Sequence, residues 1–137
     1  MHVLVPTDDS EPARKAIEHA ASTYPEAELT LLHVINPTVS AYTADAPYNI
    51  QRAIEAEEET AEEAFETARE IGGDDVSIST ETLIGSPARG IVQFASEHDV
   101  DHVVLGSHGR SGVTRVLLGS VAETVVRRAP VPVTVVR

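Results

Sequence analysis

Four glycines near the end of the sequence stand where backbone chemistry is possible. Gly106, Gly109 and Gly112 fall in the stretch Gly-Ser-His-Gly-Arg-Ser-Gly, and Gly119-Ser120 follows, giving the spacing G-x2-G-x9-G-S. A glycine lets main-chain N–H groups approach a ligand with no Cβ in the way. The apolar run Val103-Val104-Leu105 leads into the stretch, and Ser120-Val121-Ala122-Glu123, of capping-box form, opens a helix after it. The N–H groups of a helix start favour negative charge. Each such interaction is worth about 0.3–1 kcal/mol when exposed, so several amides must converge to hold a polyphosphate. A tight turn would explain a lone glycine pair. The buried run before the stretch, the capping form after it and Asp8 at the end of another apolar run favour nucleotide binding instead. For His108 the sequence leaves two roles open, a phosphate contact and a solvent-facing loop residue.

Other chemistries fail on particular residues. A P-loop needs Gly-Lys-Ser/Thr, but the sole lysine, Lys15, lies in a different segment. No glycine follows the first apolar run, so the dinucleotide fingerprint is missing. Aromatic residues are too few for a flavin site, and the lysine that a response-regulator receiver carries at its last strand has no counterpart beside Asp8-Asp9. Gly109-Arg110-Ser111-Gly112-Val113 lacks the last glycine of a hydrolase elbow. His98 and His102 flank a turn, which disfavours a metal site. With no cysteine, thiol redox chemistry, disulfides and thiolate zinc sites are excluded.

The elements that would position the glycines can be read from periodicity. Val3-Leu4-Val5 is a short buried strand, and Ser10 and Pro12 start a helix through Ala13, Ala16, Ile17, Ala20 and Ala21. The segment 28–35 is too continuously apolar for a sheet with one wet face and belongs in a sheet interior. Residues 36–48 lose all pattern and are expected to be a poorly ordered loop. A long helix spans 50–71, with Ile54, Ala61, Phe65, Ala68 and Ile71 as its apolar seam. Its other face carries Glu55, Glu57, Glu58, Glu59, Glu62, Glu63, Glu66 and Glu70 and reads as solvated. Strands at 76–83, 102–105 and 131–136 and helices from Ser86-Pro87 and over 120–128 complete the order β-α-β-α-β-α-β-α-β. That order predicts a doubly wound five-stranded parallel sheet with helices on both faces. Ligands of such sheets bind beyond the strand carboxyl ends where strand order reverses. If the first and fourth strands are neighbours, Pro6-Thr7-Asp8 and the glycine stretch face one crevice.

The 137 residues suit one domain, 1–137. Met1-His2-Val3 enters the first strand without a leader and no apolar run spans a membrane, which predicts a cytosolic protein. Twenty-two acidic against ten basic residues give a net charge of −12. Such a surface repels nucleic acid and anionic membranes. The near-complete loss of lysine points to a salt-rich cytosol, a halophilic setting in which repulsion is screened within ~3 Å at 1 M salt.

Val-Pro-Thr-Asp at 5–8, Leu-His-Val at 32–34, Gly-Ser-Pro at 85–87, the stretch at 106–112, Gly-Ser at 119–120 and Ala-Pro-Val-Pro-Val at 129–133 together resemble the universal stress protein family. Its ATP-binding branch carries the G-x2-G-x9-G-Ser/Thr signature. The resemblance implies a flavodoxin-like (Rossmann-like) α/β domain that binds ATP, or AMP or ADP, with Mg2+ accompanying the phosphates. It implies that Asp8 meets the ribose or adenine side, that Pro6 and Thr7 shape the wall, and that main-chain groups of Val34 bond adenine. Gly106 and Gly109 would lie along ribose and phosphates, and Gly119, Ser120 and Val121 would hold the terminal phosphates. The last strand, Val133 to Val136, would pair with its copy in a homodimer, its start carrying prolines as an edge tolerates. No general base or arginine finger can be assigned, so the expectation is a nucleotide-dependent regulator or sensor in stress response and not an efficient enzyme. The alternatives are a homodimeric interaction scaffold with a vestigial or AMP-occupied site, and a slow ATPase.

Overall fold

The computed structural model describes residues 1–37, 50–108 and 118–137. Strands β1 (His2–Pro6), β2 (Glu28–Ile35), β3 (Ser77–Ile84), β4 (His102–Gly106) and β5 (Val133–Val136) form one sheet in the order β3-β2-β1-β4-β5. Every neighbouring pair is parallel. Parallel pairing requires a crossover between strands, and helices α1 (Glu11–Thr23), α2 (Ile50–Gly72), α3 (Pro87–Glu97) and α4 (Ser120–Arg128) lie in those crossovers. The expected flavodoxin-like, doubly wound architecture is therefore present. The loop expected at 36–48 lies, from residue 38 onward, outside the described residues.

Both sheet faces are covered, which is why β1, β2 and β4 are mostly apolar without strict alternation. On one face Val3, Val5, Leu29 and Leu31 pack against Ala16, Ile17 and Ala20 of α1 and Ala61, Phe65 and Ala68 of α2. On the other, Leu4, Leu32, Val103 and Leu105 meet Ile91 and Phe94 of α3 and Ala122 and Val125 of α4. The alternating β3 sits at one edge with no fully buried residue, and β5 at the other. β5 begins at Val133, two residues later than the apolar pattern suggests. Pro132 can still offer its carbonyl to the Val103 amide (3.0 Å), but it has no N–H to donate. No helix among the described residues is long and apolar enough to cross a membrane.

Two positions tie α1 and the sheet's amino end to this frame. A Cβ on Gly106 would lie 2.7 Å from the carbonyl carbon and Cβ of Pro12 and 2.9 Å from its carbonyl oxygen. Gly106 is thus held to glycine by the first turn of α1, which lies directly on the end of β4. Since backbone cannot yield as a side chain can, Gly106→Ala is expected to lower unfolding free energy by about 1–3 kcal/mol, measured by chemical denaturation. At the opposite end, His102 shares a 2.7 Å hydrogen bond with Thr134 and packs beside Tyr24. Burial, and secondarily the charge of nearby His19, lower its pKa below the ordinary 6.5. The unfolded chain then binds more protons than the folded one as pH falls below that value. Stability from this group is full above the unfolded pKa and is lost as pH drops through the folded one. His102→Gln should therefore lose less stability than the wild type on acidification from about pH 7 to 5, measured by denaturation at each pH.

Candidate functional site

The order of strands turns at β1, with β2 and β3 on one side and β4 and β5 on the other. Beyond the carboxyl ends of β1 and β4 lies the crevice where sheets of this kind bind ligands. The pairing of β1 with β2 ends at Pro6 opposite Leu32, and the Thr7 amide still donates to the Leu32 carbonyl at 2.9 Å. The chain then lifts off. An Asp8 carboxylate oxygen accepts from the Ser10 amide (3.1 Å), Asp9 takes the left-handed conformation (φ 61°) and bonds Arg14, and Ser10 Oγ accepts from the Ala13 amide (3.2 Å), capping α1. This turn is built from short polar side chains, as the sequence Asp-Asp-Ser-Glu-Pro dictates. It fixes Asp8 at the rim of the crevice.

Alternation along β2 decides which main-chain groups face the gap. The Leu32 carbonyl points to β1, where it meets Thr7, and the Ile35 carbonyl points to β3, where it accepts from the Gly85 amide at 2.7 Å. Val34, two residues beyond Leu32, therefore turns its N–H and C=O toward the β1 side, past the point where β1 has ended. Its side chain stands out of the sheet plane and packs on α3, where a Cβ at Gly90 would stand 3.3 Å from Val34. There Val34 also lines a groove of about 370 Å³ with Leu83, Gly85 and Phe94. On β4 the Ser107 amide bonds the Val136 carbonyl of β5 (2.8 Å), so Gly106, one residue earlier, presents its main chain toward β1.

The glycine at the far end of the signature bonds back to the end of β4. The Gly119 amide donates to the Ser107 carbonyl at 2.6 Å, and a Cβ there would sit 3.1 Å from His108 Cα and 3.2 Å from that carbonyl. Held in this way, Gly119 is extended (φ −69°, ψ 162°) and is itself the N-cap of α4. The capping box read at Ser120 is thus displaced by one residue. Ser120 is the first helical residue, makes no side-chain cap, and Glu123 pairs instead with Arg127 one turn on. The first bond of the helical ladder joins the Glu123 amide to the Gly119 carbonyl (2.9 Å), so the amides of Ser120, Val121 and Ala122 precede it and form the positive end of the helix.

One polar atom is left over. Thr7 is 5 % exposed, and its Oγ1 is the buried side-chain oxygen or nitrogen that lacks a hydrogen-bond partner among the described residues. A buried hydroxyl without a partner costs about 1–3 kcal/mol, which marks the end of β1 as a place arranged for something besides folding. The expected site residues Pro6, Thr7, Asp8, Val34 and Gly106 are gathered at the carboxyl ends of three adjacent strands, and Gly119, Ser120 and Val121 open α4 beside them. Gly109 lies outside the described residues. His108 sits against Gly119 with its Nδ1 3.1 Å from Ser107 Oγ. Periodicity missed His33 and Glu57. His33 is 1 % exposed and bonds both the Thr7 carbonyl (2.9 Å) and Glu57 (3.2 Å), so Glu57 leaves the solvated face assigned to it. The available signal was a histidine inside an otherwise apolar strand.

Known proteins share this sequence pattern and fold. The model of the universal stress protein family matches residues 1–137. Universal stress protein MJ0577 of Methanocaldococcus jannaschii is 32% identical over 98% of this chain and 93% of its own. Its solved structure superposes with a TM-score of 0.83, 30% identity and coverage of 98% and 94% of the two chains. A universal stress protein solved in complex with cAMP aligns at TM-score 0.69 and 27% identity over 100% of this chain and 96% of that one. One from Archaeoglobus fulgidus in complex with dAMP aligns at 0.71 and 25%, covering 100% and 98%.

If Thr7 Oγ1 is an unsatisfied buried group, its isosteric removal should not harm the ligand-free fold. Thr7→Val is expected to keep or raise unfolding free energy, by about 1 kcal/mol, in denaturant titrations without ligand. A clear loss would show that the hydroxyl already serves the fold.

Proposed function

The chain belongs to the universal stress protein family, and on that premise we propose that it binds an adenine nucleotide, ATP foremost, as a nucleotide-dependent regulator or sensor. The observation that carries the reading is the Thr7 hydroxyl, without a partner among the described residues and buried where the main chains of Val34 and Gly106 turn toward the same gap. The site residues fit such a ligand. Val34 offers a donor and an acceptor to the base, Asp8 an acceptor to the ribose, and the start of α4 at Gly119, Ser120 and Val121 offers amides to phosphate oxygens, with Gly109 completing the signature. Neutral amides at a helix start can hold phosphate oxygens without the chain's single lysine. Long-range repulsion of a polyanion by that net charge is screened in a salt-rich cytosol, while dipoles in contact are screened far less. Mg2+ would ride on the phosphates. The relatives solved with cAMP and dAMP support the nucleotide class.

The edge strand β5 supports a homodimer, since an unpaired parallel edge is a template for a second copy. Thr134 lies on it, and the partner strand would be the same four residues.

ATP with magnesium at about 100 times Kd, in molar KCl, is expected to add about 2.7 kcal/mol to stability, read as a rise in melting temperature. In the same assay Thr7→Val should weaken ATP about tenfold, or 1.4 kcal/mol. Absence of any shift with ATP, ADP or AMP would hand the protein to the interaction-scaffold reading.

A further inference from the structure

We propose that His33 is the positioning residue of the nucleotide site, substituting for a rung of the sheet so that the Val34 amide is released to the ligand. The proposal rests on the nucleotide reading above. In a parallel ladder that continued past Pro6–Leu32, the Thr7 carbonyl would accept from the Val34 amide, the next rung on β2. Instead the carbonyl takes its hydrogen bond from His33 Nδ1 at 2.9 Å. The Thr7 peptide is thereby held at both ends by β2, its amide on the Leu32 carbonyl and its carbonyl on the His33 ring. Thr7 stays fixed after the strand has ended, and a main-chain donor is spared for the base.

The ring is itself held. Its Nε2 lies 3.2 Å from Glu57 Oε2 of α2, whose side chain is only 16 % exposed. The Thr7 carbonyl is an acceptor, so Nδ1–H donates to it, and Nε2 is held at the Glu57 carboxylate. This arrangement allows one ring orientation and no rotation. It also reaches across layers, linking β1, β2 and α2 through one side chain. Packing alone gives no reason for it, because the neighbouring inward positions of β2 are leucine and isoleucine and a polar ring there is costly unless both nitrogens are satisfied.

Two substitutions separate the two ends of the ring. Asparagine places its amide nitrogen near the Nδ1 position and can still serve Thr7, whereas glutamine reaches the Nε2 position and serves only Glu57. Amide hydrogen exchange at Thr7 and Val34 reads the clamp without ligand, and calorimetric titration with ATP reads the site. We expect His33→Asn to keep Thr7 exchange and ATP affinity within about threefold of the wild type, and His33→Gln to speed Thr7 exchange and weaken ATP about tenfold each. Both should lose similar thermal stability, since each gives up one buried bond. Equal loss of affinity in the two variants, or an unchanged Thr7 in His33→Gln, overturns the proposal. If His33→Gln does not fold, Glu57→Leu carries the test. It should weaken ATP severalfold, with Glu57→Gln restoring affinity to within about twofold, and no effect of Glu57→Leu refutes the role. If the wild type binds no ATP, the functional reading falls separately, and the exchange rates at Thr7 alone decide whether His33 holds that peptide.

Discussion

A strand that ends inside a parallel sheet leaves its neighbours with main-chain groups pointing at the place it vacated, and β1 ends in that way at Pro6. The rest of the site depends on this single vacancy. Its two walls are β2 and β4, and alternation along each brings Val34 and Gly106 to face it. Chain leaving the sheet normally carries its polar groups into water. Here Thr7 stays buried, held on the Leu32 carbonyl and the His33 ring, while Asp8, Val34 and Gly106 beside it are partly exposed.

The residues expected at the crevice offer mostly main-chain groups. A net charge of −12 and a single lysine leave arginine as the main cationic side chain, and none of the expected site residues is an arginine. The peptide units there carry partial charges and no net charge. Fixing enough of them around one ligand requires close approach of main chain to main chain. The 2.6 Å bond between Gly119 and Ser107 and the contact of Gly106 with Pro12 are two such approaches. Gly106 and Gly119 consequently have folding duties of their own. Gly106 lets α1 lie on β4, and Gly119 bonds back to the end of β4 and starts α4.

The order of elements, the interior place of β2 and the edge place of β5 were legible in the sequence, because a residue's burial on two faces or one writes itself into the local pattern. Asp8 stood out at the end of an apolar run, whereas Val34 was legible only through resemblance. The direction of its main-chain groups depends on where the neighbouring strand ends, and no side-chain pattern encodes that. The cap of α4 was misplaced by one residue because Ser120 is a better capping residue than glycine by propensity, while a tertiary hydrogen bond at Gly119 fixed the start of the helix first. Glu57 looked like one more carboxylate on a wet face. Its partner, His33, is on a different element and unrelated to it by any helical spacing.

By itself, then, the sequence determined the parallel sheet, its helical crossovers and the presence of an anion-suited glycine stretch, since each follows from contacts between residues near in the chain or from burial repeated along it. Only the tertiary structure decided that β1 and β4 are neighbours, that Gly106 is claimed by Pro12, and that His33 joins Thr7 to Glu57. Those are encounters between distant segments, and their outcome is set by which atoms are left facing one another when the two layers of helices close on the sheet.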